Sequence, residues 1–172
     1  MVVLRNGVQQ PNEWVRVADD ATLPDGAKVI ISYERWQSDS EMMRQRNSAI
    51  GVSLKSDQSP LLLAEDLARI SLVALEFPKF TDGRAFSYAR VLRDRLGYRG
   101  EIRAFGQVLR DQYLFMLRCG IDTIEPPADK RVEGYAEALR EFSVFYQPTS
   151  DARRTALQLR HEVPDVAEAV AA

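Results

Sequence analysis

The stretch from Leu72 to Pro127 constrains the fold most, because two apolar, partly β-branched runs, Leu72 to Phe77 and Ile102 to Gly106, bracket an amphipathic helical segment over Arg84 to Leu96. The pattern is β-α-β-α-β. The polar string Phe77-Pro78-Lys79-Phe80-Thr81-Asp82-Gly83-Arg84 falls just beyond the first of these strands. It therefore sits where open α/β sheets take ligands, at the C-terminal edge.

The alternation extends to both sides. Pro24-Asp25-Gly26 marks a turn, after which the pattern predicts strands near Val29 to Tyr33, Ile50 to Leu54, Leu72 to Phe77, Ile102 to Phe105 and Asp122 to Ile124. Helices are predicted at Ser40 to Asn47, Leu61 to Ile70, Arg84 to Leu96, Val108 to Cys119 and Lys130 to Phe145. Asp82 or Ser87 can cap the third of these, and Gly97 and Gly120 follow the third and fourth. About five successive βα units predict an α/β fold with a mainly parallel sheet, either a doubly wound three-layer sandwich or a partial barrel. Residues 1–20 read as an N-terminal β-hairpin, Val2 to Arg5, a turn at Asn6-Gly7, then Trp14 to Val17. One domain is expected over residues 1–148, followed by a tail, 149–172, with a short polar helix and an Ala-rich end around Pro164 that frays or docks on a partner.

Composition removes several classes of function. The 172 residues are 45% hydrophobic and 28% charged, as in a globular protein, and 23 Lys and Arg against 25 Asp and Glu leave a charge of -2. No overall basic field argues for nucleic acid or anionic lipid. No apolar run is long enough for a membrane span, and Met1 to Leu4 lacks a signal-peptide pattern, so a cytoplasmic location is expected. The single Cys119 cannot form an internal disulfide, a CxxC pair or a four-cysteine iron–sulfur site. His161 is the only histidine, so the chain has no ligand set of its own for haem or a multi-histidine zinc site, and no metal site is expected. No GxGxxG follows a strand, no GxxxxGK[ST] occurs, and no Ser/Thr-rich loop follows Tyr33, so no nucleotide or flavin site of the familiar kinds is expected and no cofactor is evident.

Three groups of residues remain as candidates for chemistry. Lys79, Thr81, Asp82, Gly83 and Arg84 lie where a helix begins, and backbone N–H groups with the Arg84 guanidinium suit a small oxyanion. The competing reading is a capping loop in which Asp82 binds backbone N–H groups and Gly83 supplies a positive φ. Gln107, Arg110 and Asp111 repeat this placement after the next strand, which predicts that Arg84 faces a cleft shared with Gln107 and Arg110. Glu76, Arg103 and Glu125 fall within or at the ends of strands, where a charge needs a partner or a cleft. They form either one pocket, with Glu76 and Glu125 as an acid/base pair, or a set of ion pairs at the sheet rim.

At Phe77-Pro78-Lys79-Phe80-Thr81-Asp82-Gly83-Arg84-Ala85-Phe86-Ser87, Arg93-Asp94-Arg95-Leu96-Gly97-Tyr98, Val108-Leu109-Arg110-Asp111-Gln112 and Arg118-Cys119-Gly120, the chain resembles a proteobacterial family, domain of unknown function 934. The resemblance extends more loosely from the Asp25-Gly26 turn to about Tyr146. Members are described as oxidoreductases involved in sulfite reduction, because their genes accompany assimilatory sulfite reductase. The resemblance thus implies an accessory of assimilatory sulfite reduction that binds sulfite reductase or its electron donor. The alternative is an enzyme, a possible oxidoreductase, acting on a small oxyanion or sulfur metabolite at the strand edge.

Overall fold

The computed structural model describes residues 2–128, 131–151 and 153–160. Its strands are β1 (Val3–Arg5), β2 (Val8–Gln10), β3 (Trp14–Arg16), β4 (Lys28–Ser32), β5 (Ile50–Leu54), β6 (Leu72–Phe77), β7 (Glu101–Gly106) and β8 (Thr123–Ile124). They form one sheet in the order β2-β1-β8-β7-β6-β5-β4-β3. From β3 to β8 neighbouring strands are parallel, while β1 runs antiparallel to both β8 and β2. The parallel strands follow chain order with no reversal, so the sheet has no topological switch point. It curls into a half-barrel, the second of the two architectures the βα pattern allows.

The pleat sorts the strand residues onto two faces. Val29, Ile31, Val52, Leu54, Val73, Leu75, Phe77, Ile102, Ala104 and Ile124 belong to the main core, together with helical residues such as Trp36, Met43, Ala89, Leu92, Tyr113, Met116 and Tyr135. The alternate residues Ile30, Leu72 and Ala74 form a separate small cluster with Trp14 and Phe105 on the concave face. Among the described residues six α-helices accompany the strands: α1 (Tyr33–Ser38), α2 (Ser40–Gln45), α3 (Arg84–Arg90), α4 (Arg110–Arg118), α5 (Glu133–Ala138) and α6 (Ala156–Arg160).

The N-terminal hairpin differs from the expected one. Asn6 and Gly7 both have positive φ, 51° and 77°, a tight turn that sets Arg5 opposite Val8 and makes β2 the partner of β1. Pro11 follows β2, and the chain then crosses to the opposite edge, where Trp14–Arg16 pairs in parallel with β4. The hairpin is seated by Tyr113, whose hydroxyl accepts the Gly7 N–H at 2.8 Å.

Two helical segments also depart from expectation. Tyr33 begins α1 instead of ending β4, because the Ser32 hydroxyl accepts the Arg35 N–H and caps a helix there. Over Leu61 to Ile70 only a short 3₁₀ turn, Pro60–Leu63, and successive tight turns form. The helix expected over Lys130 to Phe145 contracts to α5, and Lys130 itself lies outside the described residues, as do His161 and the Ala-rich end around Pro164.

Residues 91–95 continue α3 in a wider turn, with the Leu96 N–H bonded to Val91 O. This turn carries Arg93, which donates to Gly120 O at 3.0 Å, Tyr98 O at 2.7 Å and Gly100 O at 2.9 Å, and pairs with Asp122 at 2.6 Å. One side chain thereby ties the end of the helix to the entries of β7 and β8. The described part of the tail packs on the chain itself, since Arg118 holds Asp151 at 2.9 Å and the Ser150 hydroxyl donates to Asp94 at 2.8 Å. Among the described residues no helix is long and apolar enough to cross a membrane.

Candidate functional site

The concave face of the half-barrel carries the charges that the sequence places in strands. In register, Ala74 sits beside Arg103 and Arg103 beside Thr123, while Glu76 sits beside Phe105 one step nearer the C-terminal edge. Glu125 extends β8 by one residue, its N–H donating to Ala104 O at 2.8 Å. Glu76, Phe105 and Glu125 consequently form a row across three strands.

Arg103 is only 3% exposed, and its guanidinium meets Glu101 at 2.7 Å, Thr123 at 3.2 Å, Asn12 at 2.9 Å and Glu125 at 3.4 Å. Full hydrogen bonding is what makes a charge tolerable at such depth. From the far edge of the parallel run, Arg16 reaches over the concave face, lays its guanidinium 4.3 Å from the Phe105 ring and donates to Glu125 at 3.2 Å. An alternating series results: Arg16, Glu125, Arg103, Glu101 and finally Arg5, which lies 3.6 Å from Glu101. Three cations against two anions leave this series one positive charge in excess.

The Arg16 end opens on a cavity of about 570 Å³ at the C-terminal ends of β3, β7 and β8. Val2, Phe105, Pro126, Pro127 and Val132 supply mainly apolar walls, and Arg16 and Glu125 are its charged groups. The side of Arg16 facing β4 and β5 borders a second cavity of about 350 Å³, where the Ser32 hydroxyl donates to Asp19 at 2.6 Å beside Ser53. Arg16 is about one-third exposed, against 7% for its partner Glu125, so it is the accessible member of the pair. A position at the C-terminal mouth of parallel strands is where barrel-type folds place their chemistry.

Of the residues singled out in the sequence, Arg103 and Glu125 are brought together and Glu76 shares their face, but Phe105 stands between the two glutamates in the row. The cleft predicted for Arg84, Gln107 and Arg110 does not form. Arg84 folds back onto Asp82, with Nη2 at 2.6 Å and Nε at 2.9 Å, and reaches Ser56 at 2.9 Å. Asp82 also accepts the Arg84 N–H at 3.2 Å and so closes the turn ahead of the helix, whose N-cap is Gly83, with a φ of −91° instead of the expected positive value and no side-chain cap bond. The Arg84 guanidinium holds the Asp82 carboxyl well below the usual carboxylate range. Arg110 turns the other way, to Gly134 O and Glu141, each at 2.7 Å. Lys79, Thr81 and Asp111 are exposed, and Gln107 contributes its backbone N–H to Phe77 O at 2.7 Å. Each arginine satisfies a local carboxylate, which leaves neither guanidinium aimed at a shared anion.

Arg16 and Phe105 were not singled out in the sequence. The signal for Arg16 is the two-residue alternation of Trp14 and Arg16 with Val15 and Val17, which fits an edge strand but does not say what lies opposite. Among the described residues no group of three or more His, Cys, Asp or Glu side chains is placed to hold a metal ion.

Residues 51–157 match the family described as a bacterial protein of unknown function (DUF934), and the chain belongs to that family. No curated protein matches the chain.

Proposed function

We propose that this member of the DUF934 family binds a small anion, an oxyanion or a sulfur metabolite, at the C-terminal mouth of its half-barrel. The observation that carries this reading is Arg16, stacked on Phe105, tied to Glu125 through Nη2 and lining a cavity of about 570 Å³. A guanidinium so held is oriented before a ligand arrives, and its excess charge is not neutralised by the glutamates of its series. Glu76, half-buried on the same face beside Phe105, does not line that cavity and takes no part in this reading.

The test is a chemical-shift titration of the labelled protein with acetate, sulfite and sulfate, in which saturation by any one of the three supports the reading. Saturable shifts at Arg16, Phe105 and Glu125 that disappear in Arg16→Gln are expected. No saturable shift in the wild type, or equal binding by the variant, overturns the reading.

A second reading, an accessory of assimilatory sulfite reduction that binds sulfite reductase or its electron donor, is favoured by an exposed apolar patch. Phe115 and Phe142 lie 6.3 Å apart, and Phe142, Val144 and Tyr146 are 52%, 52% and 89% exposed. Co-purification with the cognate sulfite reductase is expected, weakened by Tyr146→Ser with Phe142→Ser. A deletion strain that grows equally on sulfate and cysteine, with no association, removes this reading.

A further inference from the structure

We infer that the ligand of the Arg16 mouth is an organic monoanion, an acid with a short apolar chain and a carboxylate or sulfonate head, and not a bare oxyanion. The inference rests on the anion-binding reading above and concerns what lies beyond the charge. An inorganic oxyanion on Arg16 would occupy a small part of a cavity of about 570 Å³ and leave Val2, Pro126, Pro127 and Val132 facing water. Those walls have no polar side chain to hydrate an ion. The two prolines also offer no N–H donor, so the backbone leaving β8 presents apolar rings to the interior. Pockets of this size and character take organic ligands whose few polar groups fix orientation.

Charge sets the head. Arg16, Glu125, Arg103, Glu101 and Arg5 together carry one positive charge, and Arg16 is the member that both lines the cavity and is accessible. A monoanion balances that charge, whereas a dianion would place a second negative charge against nearly buried Glu125. Phe105 lies under the guanidinium and beside the apolar walls, so a head on Arg16 directs a chain along the ring towards Val132. Glu125, which holds Arg16 in that pose through Nη2, is a positioning residue here.

The inference is tested by titrating the intact protein with linear carboxylates from acetate to hexanoate and with the matching alkanesulfonates, followed by chemical shifts. Affinity should rise about three- to fourfold with each added methylene until the cavity is filled. In Val132→Trp, which fills the far wall, acetate binding should persist while the gain on lengthening the chain disappears. Val2→Trp provides the same obstruction from another element if Val132→Trp does not fold. Wild-type affinity independent of chain length, or obstruction that weakens acetate and hexanoate alike, overturns the organic-acid inference and leaves the small-anion reading standing. No binding of acetate, hexanoate, sulfite or sulfate overturns both. A longer chain that binds equally well in Arg16→Gln also overturns the inference, because the head would then make no use of the charge.

Discussion

Arg16 and Glu125 are 109 residues apart in the chain and belong to opposite ends of the parallel run, yet Nη2 of one lies 3.2 Å from a carboxylate oxygen of the other. Only a strongly curled sheet brings its first and last parallel strands this close. The pair is therefore a reporter of the half-barrel curvature as well as a wall of the cavity.

Glu125→Gln should destabilise the fold by about 1–3 kcal/mol, because it leaves two guanidiniums, one of them on buried Arg103, without their shared carboxylate. Urea denaturation of the variant against the wild type measures this. Arg16→Gln, at the exposed end of the series, should cost less than 1 kcal/mol by order of magnitude, in keeping with a solvent-screened pair. Equal losses for the two variants would mean that the curvature depends on Arg16 itself.

Arg93→Ala should be among the more damaging substitutions, with a loss of about 2–4 kcal/mol, since three carbonyls and Asp122 lose their common donor. Arg93→Lys should not rescue it, because one ammonium cannot span the fork of contacts that the guanidinium makes. Thermal melting of both variants decides the matter. A Lys variant as stable as the wild type would show that charge, not geometry, matters there.

Stability should fall with acid partly through Asp82. Its folded carboxyl titrates below the ordinary aspartate value of 3.8, so the contribution is complete above that value and is lost as the pH drops through and below it. The melting temperature of Asp82→Asn should accordingly lie below that of the wild type at pH 6. The difference should narrow progressively as the pH falls from about 4 towards 2. A constant difference over that range would assign the role of Asp82 to shape and not to charge.

Cys119 should alkylate slowly. Burial pushes its thiol pKa up, ahead of the opposing effects of Arg90 and Arg118, so less thiolate is present near neutral pH than in a free cysteine. The rate with iodoacetamide at pH 7.5 should be below that of a model thiol and should recover in denaturant. A folded-state rate above the model thiol would mark Cys119 as an activated group.

Local pattern and tertiary placement separate cleanly when individual residues are followed. Ile50–Leu54 and Leu72–Phe77 are strands over the spans that their apolar, β-branched composition indicates, because both are central and nearly every side chain finds a partner there. Trp14–Arg16 was equally legible as a strand, but its partner was not. The Asn6-Gly7 turn closes on Val8–Gln10, and Pro11 frees the following strand to cross to β4. Arg84 and Arg110 looked alike after two successive strands, and each instead found a carboxylate within its own neighbourhood: Asp82 two residues away and Glu141 on the segment after α5.

The sequence by itself determined a parallel α/β sheet of successive βα units, a cap at Asp82 as one of two readings, and the need for partners around Arg103 and Glu125. Those properties follow from period, turn chemistry and the cost of burying charge, all of which act over a few residues. The tertiary structure decided which edge β3 joins, that the parallel strands keep chain order, and that Arg16 lies over Phe105 against Glu125. These depend on the summed twist and curl of eight strands, a quantity that no local stretch of sequence contains but that sets which distant side chains meet.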